Sequence, residues 1–290
     1  MHNIIFAIPI HLSELIVPAI CSGILFSGVI IFLYIFRKTR LHLYRAILFL
    51  SILSFIFVTS EMLLIAFGSF LKNLQISRQI HRIEQVAGAF FIPAILMFSQ
   101  TITTSASPRS KIQKFLLYSG AAAAVILTAI AFIRPDWFIS QTQPKFDWLR
   151  RGSSHGRGYE GPAYMARDII LGVTIIYMLF SLIREMIRSK SGTFLLPVLI
   201  GLIVAIITAA DDIMNSYTDA HFFFPWFHFP RFATGVTIFI LFSTAAILQR
   251  FIAQALEVEN AYKALNRSEK RFSQIADNIN EVFWLVDLET

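Results

Sequence analysis

The segment VAGAFFIPAILMF, residues 86–98, decides the fold class because it holds thirteen consecutive residues without a charge. A helix needs about 20 mainly apolar residues to cross roughly 30 Å of bilayer hydrocarbon. Extended to 86–103 the segment predicts a membrane span, in which Pro93 is tolerated if neighbouring helices satisfy the freed carbonyl. The same measure predicts seven spans in the chain, at 14–36, 46–70, 86–103, 115–133, 164–183, 194–214 and 232–250.

The composition supports an integral membrane protein. Of the 290 residues, 56% are hydrophobic and 15% charged, and the mean hydropathy is +0.65, far from the balance of soluble domains. The net charge of +7 does not indicate nucleic-acid binding, because Lys and Arg fall in short clusters between the apolar runs. The single cysteine, Cys21, lies in the first span, which excludes an internal disulfide and favours a packing role.

The distribution of basic residues predicts the orientation in the membrane. Fifteen of the 25 Lys and Arg residues follow the first, third, fifth and seventh spans, and loops rich in Lys and Arg stay in the cytoplasm. We therefore expect the N-terminus outside and the C-terminus in the cytoplasm. The small residues of SGAAAAVILTA, 119–129, suit close helix packing and place the fourth span inside the predicted bundle.

The seventh span continues without Pro or Gly into a polar helix. Spacings of three and four separate the apolar positions of this extension, which is a heptad pattern. One interpretation is an amphipathic helix lying on lipid, and the one we favour is a parallel coiled coil over 251–272 that joins two copies of the chain. The seam residues are Phe251, Ala255, Val258, Tyr262, Leu265, Glu269 and Phe272.

The last residues, 268–290, resemble the start of a PAS sensory domain. Arg271, Phe272 and Ile275 fit its first helix, and the β-branched and aromatic run at 282–286 predicts a first strand that ends at Asp287. A PAS domain takes on the order of a hundred residues, so this segment cannot bury a core of its own. We expect the chain to be the N-terminal part of a longer signalling protein, or a truncated copy of one.

The membrane part, 1–250, resembles the N-terminal seven-transmembrane region of bacterial sensor histidine kinases. The resemblance rests on FIPAILMFSQTIT (91–103), RPDWF (134–138) and GPAY (161–164). It departs from the family pattern at Asp136 and Trp137, where the family has a His. The resemblance implies a sensor in the bacterial inner membrane, no cofactor in this part, ATP bound only by an absent kinase domain, and a response regulator as partner.

Other seven-helix proteins fit the sequence less well. A retinal protein needs a lysine within its last span, and no predicted span has a lysine in its interior. A G-protein-coupled receptor would not carry a PAS start, and no convincing internal repeat supports a transporter. A transporter with a regulatory tail and the sensor module of a diguanylate cyclase remain alternatives, and no catalytic residue is visible in the 290 residues.

Ionisable residues inside spans are costly and indicate function. Glu61 is the deepest predicted charge, about two thirds of the way across the second span, and a neutral buried carboxylic acid is the alternative. Charged pairs also mark the outer ends of the fifth and sixth spans, so Arg167 can pair with a carboxylate in an outward-facing polar pocket, unless these residues are simply solvated. The aromatic segment 219–232 adds two histidines as a lid, and their spacing does not favour a metal site. The candidate pocket residues are Glu61, Arg167, Asp168, Asp211, Asp212, Asn215, His221 and His228.

Overall fold

The structure is a computed structural model, and it describes residues 10–70, 74–103, 111–140, 159–188, 192–218 and 231–287. Seven α-helices dominate these residues. A π-helical turn, Ile65–Phe70, follows α2, and short 3-10 helices occur at Pro135–Trp137 and Gly192–Leu195. The helices are α1 (Ile10–Thr39), α2 (His42–Leu64), α3 (Leu74–Thr103), α4 (Lys111–Ile133), α5 (Pro162–Arg188), α6 (Leu196–Thr218) and α7 (Arg231–Asp287).

All seven helices are long and apolar enough to cross a bilayer. Within lipid every backbone N–H and C=O must be paired inside the protein, and a helix achieves this within a single segment. The described residues therefore form an all-α, multi-pass membrane bundle, as the hydropathy pattern predicts. The orientation stays a prediction. We call the end at which α2, α4 and α6 finish and α3, α5 and α7 begin the predicted outer end.

Helix α3 lies at the centre of the unit formed by residues 1–244. It packs against α2, α4 and α5, and 72% of its most apolar stretch is buried, against 22% for α4 and α5. It also begins at Leu74, twelve residues before the predicted span. Judged by length alone, the predicted third span is the weakest, because the first three turns of α3 carry polar residues. Four of these, Ser77, His81, Glu84 and Gln85, are buried in the bundle.

The prediction that the fourth span lies inside the bundle is wrong. One face of α4 packs on α3: a Cβ placed on Gly120 would lie 2.8 Å from Leu96 Cδ1 and 3.3 Å from Ile92 Cγ2. The other faces carry exposed apolar side chains such as Val125 and Ile126. Small residues allow one face to approach a neighbour closely, and they do not require the whole helix to be buried.

The connection between α4 and α5 brings together two of the segments on which the family resemblance rests. After the 3-10 turn, strand β1 (Ile139–Ser140) pairs antiparallel with β2 (Tyr159–Glu160). The Gly161 N–H then donates to the Phe138 carbonyl oxygen at 2.7 Å, directly before Pro162 starts α5. Proline suits this first helical position because its missing N–H would have no partner there.

Replacing Gly161 with Ala should destabilise this connection. A Cβ there would overlap the Trp137 carbonyl and lie 2.9 Å from the Asp136 carbonyl oxygen, and backbone atoms move less easily than a side-chain tip. We expect the free energy of unfolding to fall by about 1–3 kcal/mol, measured by reversible unfolding in mixed micelles. Gly172→Ala in α5 is the control, since nothing lies within 4 Å of its Cβ position. Equal stability of both variants would contradict the prediction.

Residues 245–290 form a second compact unit, which is helical as far as Asp287. The seam residues predicted for the coil are exposed on this helix. The predicted strand at 282–286 is wrong, because α7 continues through it. A helix pairs its own backbone groups, whereas a strand needs a partner, and the described residues offer this segment none.

Candidate functional site

A chain of buried polar side chains joins α3 to α5 near the predicted outer end. His81 Nδ1 lies 2.7 Å from Glu84 Oε2, and His81 Nε2 lies 3.0 Å from Gln85 Nε2. Arg167 of α5 donates from Nη1 to Gln85 Oε1. All four residues are less than 10% exposed. We call these residues, together with Asp168, the α3–α5 network.

The Arg167 guanidinium is held on several sides. Its Nε and Nη2 donate to Asp168 Oδ1 at 2.9 and 2.7 Å, and its Cζ lies 4.1 Å from the centre of the Tyr164 ring. Such stacking is favourable because the ring face is electron-rich. A Cβ on Gly88 would lie 3.0 Å from Arg167 Nη1, so glycine at this position gives the guanidinium room against α3.

A second polar cluster joins the end of α6 to the start of α7. The fully buried Asp211 forms an ion pair with Arg231, whose side chain is 2% exposed. Asp212 accepts the Arg231 and Phe232 backbone N–H groups at 3.3 and 2.6 Å. Because the first N–H groups of a helix have no partner within it, Asp212 caps α7. We call Asp211, Asp212 and Arg231 the α6–α7 junction.

An aromatic chain passes between the two clusters. The Phe57 ring of α2 packs edge-on against Phe91 of α3, with centroids 5.8 Å apart, and against Phe232 of α7, with centroids 5.4 Å apart. These T-shaped contacts are the geometry that aromatic rings prefer. Phe232 is also the residue whose N–H Asp212 accepts. Phe57 of α2 thus contacts both the central helix α3 and the start of α7 through their side chains.

Glu61 lies at the depth of Gly88, the position next to the Arg167 guanidinium. It is four residues beyond Phe57 toward the predicted outer end, and Gly88 is three residues beyond Phe91 in the same direction. At 1.5 Å per residue both positions are about 5 Å above the Phe57–Phe91 contact. Glu61 is half-buried, and its carbonyl oxygen accepts the Ile65 N–H where the π-helical turn begins. Such turns often occur at functional sites.

The structure divides the predicted pocket residues between the two clusters. The carboxylate that pairs with Arg167 is its neighbour Asp168, while Asp211 pairs with Arg231. Arg167, Asp168, Asp211 and Asp212 are all buried or half-buried, so the alternative of fully solvated helix ends is wrong for them. Asn215 belongs to α6, and its side chain lies outside the described residues, as do His221 and His228.

Several residues of these clusters are not among the pocket residues predicted from the sequence. The predicted spans 46–70 and 86–103 leave His81 in an outer loop between them, but the structure places it inside α3, where it is buried. His81, Glu84 and Gln85 are spaced i, i+3 and i+4, which places them on one helix face, and that periodicity is a signal that hydropathy overlooks. Arg231 directly precedes the apolar run of the seventh span, and the sixth span ends near the acidic pair Asp211 and Asp212. The opposite charges at these two neighbouring helix ends are a signal that could have identified Arg231.

No known protein family model matches the chain, and no curated protein is significantly similar to it. Within the described residues, no group of three or more His, Cys, Asp or Glu side chains is arranged to hold a metal ion. The chemistry that the described clusters offer is hydrogen bonding, charge pairing and proton exchange inside a helical bundle. Each cluster couples at least two membrane helices.

Proposed function

We propose that the chain is the membrane sensor and signal-transduction module of a bacterial two-component sensor histidine kinase. The site senses an external or intramembrane stimulus, and α7 passes the change to the cytoplasm. The proposal includes an N-terminus outside, a multi-pass location in the inner membrane, and a cytoplasmic C-terminus. ATP and a response regulator belong to an absent kinase domain.

One observation carries the proposal: α7 begins inside the polar and aromatic contacts of the bundle and is still helical at the exposed heptad positions. Asp212 and Phe57 contact its first residues. Every described side chain from 251 to 276 is exposed. Among them the apolar Val258, Tyr262 and Leu265 are each more than half exposed, which leaves them available to a partner helix. A second copy of the chain is the proposed partner, through a parallel coiled coil.

The output domain is the part of the proposal that rests on sequence resemblance. The PAS-like segment after residue 268 suits a histidine kinase and equally a diguanylate cyclase, which is the alternative output. A transporter-like bundle with a regulatory tail is the second alternative. It predicts solute flux that depends on the α3–α5 network, whereas the sensor predicts an output that depends on the rotation of α7.

Inserting two residues after Gln254 of the full-length protein tests this rotation. The insertion turns everything downstream by about 200°, whereas inserting seven residues turns it about 20° short of two full turns. We expect the two-residue insertion to abolish stimulus-dependent autophosphorylation and the seven-residue insertion to retain it. Phosphate incorporation is measured in membranes with matched expression. If the two-residue insertion signals normally, transmission through a rigid α7 is excluded.

A further inference from the structure

The hydrogen bonds of the α3–α5 network can run in one direction only. A guanidinium donates and never accepts, so the Gln85 amide must present its oxygen to Arg167. Its NH2 group then faces His81 Nε2, which has to be the accepting nitrogen. The ring proton of neutral His81 therefore lies on Nδ1 and is donated to Glu84. The three bonds that lead from Arg167 through Gln85 and His81 to Glu84 therefore share one direction, and bonds aligned in this way polarise one another.

Protonation of His81 is incompatible with this arrangement. An imidazolium carries N–H on both nitrogens, so Nε2–H would face the Gln85 NH2 group, and two donors would oppose each other. Turning the amide presents its oxygen to His81, but it then presents its NH2 group to Arg167. In either orientation one contact of Gln85 is lost. A proton on His81 Nε2 is thus incompatible with keeping both contacts of Gln85, and the Gln85–His81 contact can be regained only by giving up the Gln85–Arg167 bond.

Charged groups of both signs lie on the elements around His81. Carboxylates come from three helices: Glu84 on α3 itself, Asp168 on α5 and Glu61 at the same end of α2. The π-helical turn Ile65–Phe70 has no ionisable residue. Among the side chains that the structure describes, the other charged or titratable groups toward this end are Arg167 and Tyr164 on α5, Arg78 and Arg82 on α3, Asp211 and Asp212 on α6, Arg231 on α7, and the exposed Arg134 and Asp136 after α4.

We propose that His81 is a proton-binding site, and that protonation at Nε2 turns the Gln85 amide and releases Arg167 from α3. Arg167 then keeps its bonds to Asp168 within α5, and the contact between α3 and α5 loosens. The inference rests on the proposed function in one respect: it names external acidity as the class of stimulus that the sensor detects. Protons are a ligand for which histidine is suited, since its charge changes between about pH 5 and 8.

A distance measurement between α3 and α5 tests the proposal without any output domain. Spin labels at Ile83→Cys and Ile169→Cys, both on exposed faces, are introduced with Cys21→Ala into the 290-residue chain in lipid nanodiscs. We expect the distance distribution to shift between about pH 8 and pH 5. Ring nitrogen NMR, with His81 assigned through His81→Gln, should show uptake of a proton on Nε2 over the same range.

Two variants separate the switch from general acid effects. His81→Gln removes the proton acceptor, so the distance should no longer depend on pH. In Gln85→Glu a carboxylate accepts from His81 and from Arg167 together, so His81 should still titrate while the distance stays constant. His42→Gln, exposed near the opposite end of the bundle, is the control and should keep the full shift.

Two results would overturn the proposal: a His81 ring that stays neutral down to about pH 5, or a distance shift that persists in His81→Gln. Neither readout depends on autophosphorylation. A failure here therefore leaves the sensor function intact with another stimulus, and a failure of the insertion test leaves the proton site intact.

Discussion

Replacing Arg231 with Ala is expected to cost about 3–5 kcal/mol of the free energy of unfolding, because the change leaves a buried carboxylate without its counter-ion. Asp211 is fully buried and Arg231 is 2% exposed, so water cannot take over the lost interaction. The loss is measured by reversible unfolding of the 290-residue chain in mixed micelles, with helicity as the signal.

The double variant Arg231→Met with Asp211→Leu is the matched control. Removing both charges removes the need for compensation, and exchanging a buried ion pair for apolar groups is often neutral or stabilising. We expect the double variant to be much closer in stability to the parent chain than Arg231→Ala. A loss below about 1 kcal/mol for Arg231→Ala, the size typical of exposed pairs, would show that water reaches this pair.

The cost of that buried pair suggests why it stands where α7 begins. Separating Arg231 from Asp211 would leave a buried charge uncompensated. The pair therefore holds the end of α6 and the start of α7 in one arrangement. Asp212 stabilises the same arrangement, because it accepts hydrogen bonds from the first backbone N–H groups of α7. Helix α7 thus starts from a fixed point, and Phe232 next to it packs against Phe57, which in turn packs against Phe91 of α3.

Hydropathy predicts the helical class well because the bilayer leaves few alternatives: long apolar runs must be helical there. It predicts boundaries poorly where a helix stays in the bundle but becomes polar. Helix α3 shows this, since the predicted span begins at Val86 and leaves out His81, Glu84 and Gln85. These polar side chains are buried because they form hydrogen bonds with one another and with α5. A hydropathy average over neighbouring residues does not include such contacts.

The sequence predicts the depth of charged residues better than their partners. Counting residues places Glu61 deep in α2 and Asp211 near the outer end of α6, and both are buried or half-buried in the structure. Partner choice depends on how each helix is rotated, which counting does not determine. Asp211 therefore pairs with an arginine that the sequence analysis did not select.

The wrong strand at 282–286 has a related cause. β-branched and aromatic residues suit a pleated sheet, but that preference measures packing against neighbouring strands. Without a neighbour, the same residues continue the preceding helix. The preference is local, and its outcome depends on contacts distant in the sequence.

The second large effect is expected at Gly235, where α6 and α7 approach each other closely. A Cβ there would overlap Thr208 Oγ1 and lie 3.0 Å from Ala205 Cα, so Gly235→Ala should push the helices apart. Overpacking of this kind costs about 1–3 kcal/mol, which outweighs the roughly 1 kcal/mol that alanine gains over glycine in a helix. Reversible unfolding in mixed micelles measures the net loss.

The sign of the effect distinguishes close packing from helix propensity. Gly28→Ala in α1 has nothing within 4 Å of its Cβ position, so it should be neutral or stabilising by up to about 1 kcal/mol, whereas Gly235→Ala should destabilise. Adding Thr208→Ala removes the overlapping hydroxyl and should restore part of the loss, but not all, because the Ala205 backbone remains. If Gly235→Ala were as stable as Gly28→Ala, the two helices could separate without cost. The start of α7 would then be free to move independently of α6, and the junction could not fix its position.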